Sequence, residues 1–223
     1  MNKLIQLNKK IIKCNKCRRL VAFRKKISKI KRKQYINETY WGKPVPGFGD
    51  PFAKILLVGL APAAHGATRT GRVFTGDRSA AFLYNCLFKS KLANQPTSEN
   101  KNDNLKLFNA YITLALKCVP PNDKPTSAEL GICYNHFDNE IKYLNNIKII
   151  VALGKIAFDT CYKFYRKNYK LNNNYKFIHG KKYILPDNKY LIGCYHPSPR
   201  NVNTKIINTN KMVRLFKNVQ NLI

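Results

Sequence analysis

Two segments far apart in the chain carry the residue types that could do chemistry. Residues 59–79 hold one carboxylate, Asp77, together with a histidine, three arginines, a phenylalanine and several glycines. They follow an apolar run and precede a helical pattern. A connection of roughly twenty residues is usually functional or disordered, and ligands bind at the carboxyl ends of strands in open α/β sheets. A second segment, residues 195–204, places His196 after another strand pattern. These patterns indicate that the two segments form a ligand-binding or catalytic site.

A phosphate-binding loop is one interpretation of the first segment. Residues 66–73 read Gly-Ala-Thr-Arg-Thr-Gly-Arg-Val, which has the two-glycine spacing of a Walker A loop. However, Arg72 stands where that loop needs lysine, and Val73 where it needs a metal-binding serine or threonine. The segment also continues too far before the helix begins. The residues therefore disfavour a nucleotide triphosphatase.

The first segment resembles the opening motif of the family 5 (type b) uracil-DNA glycosylases. Its parts are Gly-Leu-Ala-Pro-Ala-Ala-His-Gly, Arg-Thr-Gly-Arg and Phe-Thr-Gly-Asp, all present within residues 59–77. Residues 195–204, Tyr-His-Pro-Ser-Pro-Arg-Asn-Val-Asn-Thr, match the closing motif of that family. The resemblance implies a monofunctional DNA repair enzyme. It would flip a deaminated base (uracil, and also hypoxanthine or xanthine) out of DNA and hydrolyse its N-glycosidic bond, leaving an abasic site.

Such an enzyme must stabilise a cationic sugar and an anionic leaving base. Asp77 could orient water and stabilise the sugar, although an aspartate just before a helix is also a favoured N-cap. His196 can donate a hydrogen bond to the base as negative charge develops there. The resemblance gives Asn122 a minor catalytic or base-contact role, whereas the residues alone equally suit a turn. Phe74 offers a ring on which the flipped base can stack, or is an ordinary core residue.

The resemblance also distributes binding roles over the two segments. The expected base-binding residues beside Phe74 are Ala61, His65 and Gly66. The expected DNA-binding residues are Arg69, Arg72, Ser198, Arg200 and Asn203. Val202 would lie at a loop tip, where an apolar side chain could fill the space left by the flipped base.

Four of the seven cysteines suggest a metal site. Cys14 and Cys17 form a CxxC pair among lysines and arginines, and Cys118 and Cys133 are separated by a proline-rich loop and one turn of the following predicted helix. Four thiolates suit either zinc or an iron–sulfur cluster, and their spacing does not decide between them. The resemblance favours a structural [4Fe–4S] cluster that ties the N-terminal arm to the end of a strand.

Alternating strand and helix patterns must position these residues. We predict strands at residues 55–60, 110–116, 148–153 and 190–195, and helices at residues 78–92, 128–144, 155–167 and 205–222. This alternation predicts one α/β domain over residues 1–223, with three α/β/α layers around a mostly parallel four-stranded sheet. Residues 1–50 form a basic arm with helical propensity from about residue 8 to 33, residues 93–107 a surface connection, and residues 175–186 a hairpin or irregular excursion.

The charge of the chain points to a polyanionic partner. The chain has 41 lysines and arginines and only 11 aspartates and glutamates, for a net charge of +30. Nucleic acid is the default partner of such a chain. We therefore expect a monomer that binds DNA containing deaminated bases, without a membrane partner. Its expected location is the cytoplasm of a prokaryotic-type cell, in association with the nucleoid. Two alternatives stay open: a non-catalytic iron–sulfur or zinc DNA-binding module, and an enzyme that acts on free nucleotides.

Overall fold

A six-stranded sheet forms the centre of the computed structural model, which describes residues 2–169, 171 and 173–223. In chain order its strands are β1 (Phe48–Gly49), β2 (Ile55–Gly59), β3 (Ala110–Leu114), β4 (Ile149–Leu153), β5 (Lys182–Ile184) and β6 (Tyr190–Cys194). They lie in the order β1-β3-β2-β4-β6-β5. The four longer strands are parallel to one another, which confirms the predicted parallel centre.

The two additional strands close the edges of the sheet. The strand β1 pairs antiparallel with β3, and β5 pairs antiparallel with β6. They are two and three residues long, too short to produce an alternating pattern in the sequence. The excursion at residues 175–186 is therefore partly a hairpin, since β5 within it turns back onto β6.

Helices cover both faces of the sheet. The helices are α1 (Asn2–Ile12), α2 (Arg18–Lys29), α3 (Ala67–Thr70), α4 (Arg78–Lys89), α5 (Ser127–Tyr143), α6 (Lys155–Tyr169), α7 (Pro199–Asn203) and α8 (Thr209–Gln220). Successive residues of a strand point to opposite faces. Accordingly, Ile55 and Leu57 of β2 pack with the core under α4 and α8, whereas Leu56 and Val58 pack with the core under α5 and α6. The predicted three-layer α/β/α architecture is confirmed.

The N-terminal arm contains two helices where the sequence predicts one helical region. The chain turns between α1 and α2 at residues 13–17, which include both cysteines of the CxxC pair. The buried Arg24 donates hydrogen bonds to the carbonyls of Cys14 and Gly42 and to the Asn15 side chain. These bonds hold the turn against the segment that follows α2. The arm packs onto the body of the protein through α1 and α5.

The connection at residues 93–107 is packed more closely than the sequence predicts. Leu105 and Leu107 are buried in the same core as α4, and Ala93 bridges to Leu107. Asp103 in this connection also pairs with Arg72 of the loop that follows β2. The abundance of asparagine and lysine obscures these few apolar anchors. The segment therefore covers the site loop as well as connecting α4 to β3.

Strand order places a ligand crevice between β2 and β4. After β2 the chain adds β3 on one side, and it then crosses over to add β4 on the other. Ligands of open α/β sheets bind at such a reversal, beyond the carboxyl ends of the strands. The loops that follow β2, β4 and β6 all begin at this edge. No helix within the described residues is long and apolar enough to cross a bilayer.

Candidate active site

A small cavity brings the two chemical segments together at the carboxyl edge of the sheet. Its volume is about 60 Å³. Four of the predicted site residues line it: Ala61, Phe74, Asp77 and His196. The remaining wall is apolar apart from Ser79, and includes Pro62, Ala63, Ala67 and Leu114. The parallel sheet thus joins one carboxylate and one imidazole that lie 119 positions apart in the sequence.

Asp77 is both the N-cap of α4 and part of the cavity wall. Its Oδ1 accepts a hydrogen bond from the Ala80 backbone N–H at 2.9 Å. Burial raises the pKa of Asp77 above its ordinary value, while the backbone N–H groups of Ala80 and Ser79 oppose that rise. A Cβ atom at Gly66 would lie 1.9 Å from Asp77 Oδ2. The glycine is therefore required for the carboxyl group to sit where it does.

His196 follows β6 and reaches the cavity from the opposite side. Burial lowers its pKa to about 4, so the imidazole is neutral at neutral pH. The Asn201 side-chain amide donates to the His196 carbonyl at 2.9 Å and fixes the backbone of this loop. Gly154, which follows β4, lies beside the histidine, where a Cβ atom would be 3.3 Å from His196 Cβ. A neutral imidazole can donate one hydrogen bond without carrying charge.

Phe74 occupies a strained position in the cavity wall. Its φ angle is +46°, a left-handed conformation that is rare for a bulky residue and that clusters at functional sites. The ring lies against Gly59, where a Cβ atom would be 2.8 Å from Phe74 Cε2. Its centroid is 6.1 Å from that of His196. Phe74 is 8% exposed and lines the cavity, and stacking of a flipped base on its ring stays a prediction.

His65 and Arg69 lie behind the cavity instead of lining it. The Tyr40 hydroxyl and His65 Nδ1 are 2.8 Å apart. Arg69 donates to the His65 and Gly76 carbonyls at 2.8 and 2.9 Å and pairs with Glu38. Its guanidinium also lies 3.9 Å from the Tyr35 ring centroid. These contacts clamp the loop onto the N-terminal arm, and the predicted base and phosphate contacts stay predictions.

Arg72 is likewise held inside the protein. It binds both carboxylate oxygens of Asp103, at 2.8 and 2.6 Å. It also donates to the hydroxyls of Thr75 and Ser98, each at 2.9 Å. Burial by itself raises the pKa of Asp103, but the hydrogen bonds from Arg72 and from two backbone N–H groups outweigh it and bring that pKa to about 2. The geometry supports a positioning role for Arg72, and contact with DNA stays a prediction.

The other predicted site residues lie nearer the surface. Asn122 is exposed on a short 3₁₀ turn with φ +54°, outside the cavity lining, so its catalytic role stays a prediction. Ser198 caps α7 by accepting from the Asn201 N–H at 3.3 Å. Arg200 and Asn203 are exposed on α7, as phosphate-binding residues should be. Val202 is half-buried against the core.

The four cysteines singled out from the sequence line one small cavity. Cys14, Cys17, Cys118 and Cys133 meet between the N-terminal arm, the end of β3 and α5, in a space of about 20 Å³. Leu20 and Leu116 are apolar neighbours, and the Lys117 N–H donates to Cys133 Sγ at 3.3 Å. Among the described residues, no three His, Cys, Asp or Glu side chains are close enough to hold one metal ion. The donor set and its apolar surroundings nevertheless fit a thiolate-bound group.

Two residues that contribute to the candidate active site were not identified from the sequence. Gly154 is a single glycine after a strand, and its position at the carboxyl end of β4 was the available signal. Tyr40 carried no signal in the sequence, because its contact with His65 joins residues from different elements. The remaining three cysteines, Cys86, Cys161 and Cys194, are all buried in the core.

Most of the chain is similar to known proteins. The family model of the uracil DNA glycosylase superfamily matches residues 46–220. A type-5 uracil-DNA glycosylase of Thermus thermophilus is 44% identical over 191 residues, which cover 86% of this chain and 85% of that protein. Enzymes of the same name from Mycobacterium leprae and Pyrobaculum aerophilum are 37% and 36% identical, over 97% and 93% of this chain and 94% and 88% of their own. The match includes every residue that lines the cavity, and the chain therefore belongs to the uracil DNA glycosylase superfamily.

Proposed function

We propose that this protein excises uracil, and also deaminated purines, from DNA by hydrolysing the N-glycosidic bond. The observation that carries the proposal is the convergence of Asp77, Phe74 and His196 on one cavity. A base buried in the duplex cannot reach such a cavity unless it leaves the stack. The net charge of +30 supports a DNA substrate, because lysine and arginine neutralise phosphates.

His196 serves the leaving base in this mechanism. Breaking the glycosidic bond moves negative charge onto the pyrimidine ring and its O2 atom. A neutral imidazole N–H aimed at that oxygen stabilises the developing charge without a prior protonation step. The lowered pKa of His196, about 4, keeps the imidazole in this form at neutral pH.

Asp77 serves the sugar and the water. Its carboxylate stabilises the positive charge that develops on the deoxyribose and orients the attacking water. The backbone N–H bond at Oδ1 fixes its orientation, and the absence of a side chain at Gly66 leaves room for Oδ2. The proton of the water is released as the new bond to the sugar forms, and a carboxylate whose pKa is raised by burial accepts a proton more readily.

Phe74 provides the stacking surface for the flipped base. The cavity of about 60 Å³ corresponds to roughly two water volumes in the liquid, so the loop must widen when a base enters. The strained backbone of Phe74 lies in the segment that has to move.

The direct test is base release from defined DNA. Oligonucleotides that contain uracil, hypoxanthine or xanthine are incubated with the purified protein, and abasic sites are cleaved with alkali. We expect cleavage at the damaged position and none in undamaged DNA. Binding to all the oligonucleotides without any cleavage would favour the alternative of a non-catalytic DNA-binding module.

We further propose that Cys14, Cys17, Cys118 and Cys133 hold a [4Fe–4S] cluster. The support is that all four thiols line one cavity with apolar neighbours, and that a backbone N–H already points at one sulfur. Bound there, the cluster would supply a structural link between the N-terminal arm, β3 and α5. Through the contacts of the arm with His65 and Arg69, that link would steady the site loop.

Metal analysis tests the cluster independently of activity. The purified protein should be brown, with absorbance at roughly 400 nm from thiolate-to-iron charge transfer, and should contain iron and sulfide. Cys118→Ser should lose the colour, whereas Cys161→Ala, at a buried helical position, should keep it. Stoichiometric zinc without iron would refute the cluster.

We propose finally that the protein acts as a monomer in the cytoplasm, in association with the nucleoid. The sources of the similar enzymes, such as Thermus thermophilus and Mycobacterium leprae, support a prokaryotic-type cell. Sedimentation should give a mass near 25.7 kDa both without DNA and over a range of protein concentrations. A concentration-dependent rise toward twice that mass would contradict the monomer.

A further inference from the structure

A second groove lies at the far edge of the sheet, separate from the catalytic cavity. It has a volume of about 380 Å³ and runs between β5, β6 and α8. Its floor is apolar and includes Ile192 and Leu215, which are buried. Its polar rim consists of His179, Lys182, Lys211, Arg214 and Asn218. We call it the edge groove.

The rim of the edge groove is positively charged and uncompensated. No aspartate or glutamate lines the groove among the residues that the structure describes. None of the ion pairs found among the described residues involves Lys182, Lys211 or Arg214. Lys182 lies 4.8 Å from the Tyr190 ring centroid, and Lys211 donates to the carbonyls of Lys205 and Ile206 at 3.4 and 3.5 Å. Arg214 is exposed. Such a concentration of cations attracts an anion.

The tautomer of His179 adds a neutral donor to this rim. The Tyr195 backbone N–H donates to His179 Nδ1 at 3.1 Å, so Nδ1 has its lone pair free to accept. The proton of the neutral ring must then lie on Nε2, which becomes a hydrogen-bond donor. Burial and the neighbouring Lys211 and Arg214 lower the pKa of His179. The lowered pKa favours the neutral form of the ring, which carries its proton on Nε2.

One pair of stacked rings links the edge groove to the catalytic loop. The His179 ring stacks on the Tyr195 ring, with centroids 4.8 Å apart and planes 6° from parallel. Tyr195 immediately precedes His196, and His179 bridges to Gly193 near the carboxyl end of β6. Lys211 lies in the first turn of α8 and lines the edge groove. The stacked pair of His179 and Tyr195 thus joins the edge groove to the loop that carries His196.

We infer that the edge groove binds a phosphate group of the DNA backbone on one flank of the damaged base. Lysine, arginine and an imidazole N–H are donors that match phosphate oxygens. The inference rests on the proposed function for its choice of DNA over free phosphate, which shares the same chemistry. Bound phosphate at this position would also steady the stacked pair of His179 and Tyr195 next to His196.

Two matched pairs of variants test the groove by DNA binding alone. Arg214→Gln removes a rim cation, and Lys217→Gln removes an exposed cation on the same helix outside the groove. In the second pair, Lys182→Gln removes a rim cation at the start of β5. Its control, Lys181→Gln, removes the preceding cation, which does not line the groove. Affinity for an undamaged duplex is measured from 50 to 200 mM salt, so that no excision is needed. Thermal melting of each variant confirms that it is folded.

In each rim variant, log affinity should fall less steeply with log salt, so that the magnitude of the slope decreases by about 0.9. The affinity itself should decrease roughly eightfold at 0.1 M salt. Each control should leave the slope unchanged. Duplexes with a neutral methylphosphonate at successive flanking positions then locate the contact. At the contacted position the wild-type protein should lose the same affinity, and Arg214→Gln should lose no more.

A second arm distinguishes DNA from free phosphate. If inorganic phosphate raises the Tm of the wild-type protein but not that of Arg214→Gln, while all DNA slopes are equal, the groove binds phosphate and the assignment to the DNA backbone is overturned. If both rim variants match their controls in both arms, the whole inference is overturned. Absence of uracil excision would instead refute the proposed function. A weaker salt dependence of the rim variants than of their controls would still support DNA binding in the groove.

Discussion

Asp77 shows how one residue can meet a structural and a chemical demand at once. Its Oδ1 caps α4 while Oδ2 lies against Gly66 in the cavity wall. A cap needs only an oxygen that accepts a hydrogen bond, whereas a sugar cation needs negative charge. An isosteric amide retains the first property and loses the second, so the two roles can be separated.

Asp77→Asn should therefore stay folded and lose activity. We expect the single-turnover rate on uracil-containing DNA to fall roughly 100-fold or more, because the charge that stabilises the sugar is gone. The unfolding free energy should change by less than about 1 kcal/mol. Asn208→Ala is the matched control, since it removes the N-cap of α8, which does not line the cavity, and should lose stability but not rate. A variant of Asp77 with near wild-type turnover would reduce this residue to a cap.

His196→Ala should slow different substrates unequally. The histidine acts on the leaving base, and a base that forms a stable anion needs less help. Excision of 5-fluorouracil, whose fluorine stabilises the anion, should therefore suffer less than excision of uracil. Single-turnover rates on both bases, with Asp77→Asn as the comparison, measure this difference. Equal losses on the two bases would place the histidine elsewhere in the mechanism.

At the scale of elements, the loop after β2 is held from two sides. Arg69 ties it to the N-terminal arm through Glu38 and Tyr35. Arg72 ties it to the connection at residues 93–107 through Asp103 and Ser98. The side-chain exposures of Arg72 and Asp103 are 6% and 12%. Because both groups are largely removed from water, neither can lose its partner without a large cost.

Asp103→Ala should consequently destabilise the protein by roughly 3–5 kcal/mol, because it leaves the Arg72 guanidinium buried and unpaired. Asp159→Ala breaks the exposed pair with Lys155 and should cost less than about 1 kcal/mol. Urea denaturation of the two variants provides the comparison. Equal effects would mean that water reaches Arg72 and that the connection does not fix the loop.

At the scale of the whole molecule, the histidines predict sensitivity to acid. All four have a lowered pKa, and burial is the largest cause in each case. A histidine whose folded-state pKa lies below its unfolded value binds protons more readily when unfolded. Its contribution to stability is complete above the unfolded pKa and is lost as the pH falls toward the folded one.

His196 should dominate this effect, because its pKa falls to about 4 from an unfolded value of about 6.5. Between pH 7.5 and pH 5 this residue alone should remove about 2 kcal/mol of unfolding free energy. His196→Gln should abolish that part of the pH dependence, so the difference in stability between variant and wild-type protein should shift by the same amount. A constant difference across this range would mean that His196 is not buried in its neutral form.

Local patterns in the sequence determined most of the secondary structure and the chemical inventory. The runs of β2, β3 and β4 are buried along their whole length, and such strands read as apolar whatever surrounds them. The start of α5 is also encoded locally, since Thr126 and Glu129 form a capping box, and both residues of that box lie within four positions of sequence. The two segments that contain Asp77 and His196 were recognisable by motif, because their chemistry depends on contiguous residues.

Only the tertiary structure decided what each of those side chains touches. Arg69 and Arg72 have the residue type of phosphate-binding groups, but ion pairs with Glu38 and Asp103 turn them inward. The edge groove joins His179 to α8 across 32 positions of sequence, from His179 to Lys211. No local pattern encodes such contacts, because strand order and helix packing bring their members together, and burial then sets their charge state.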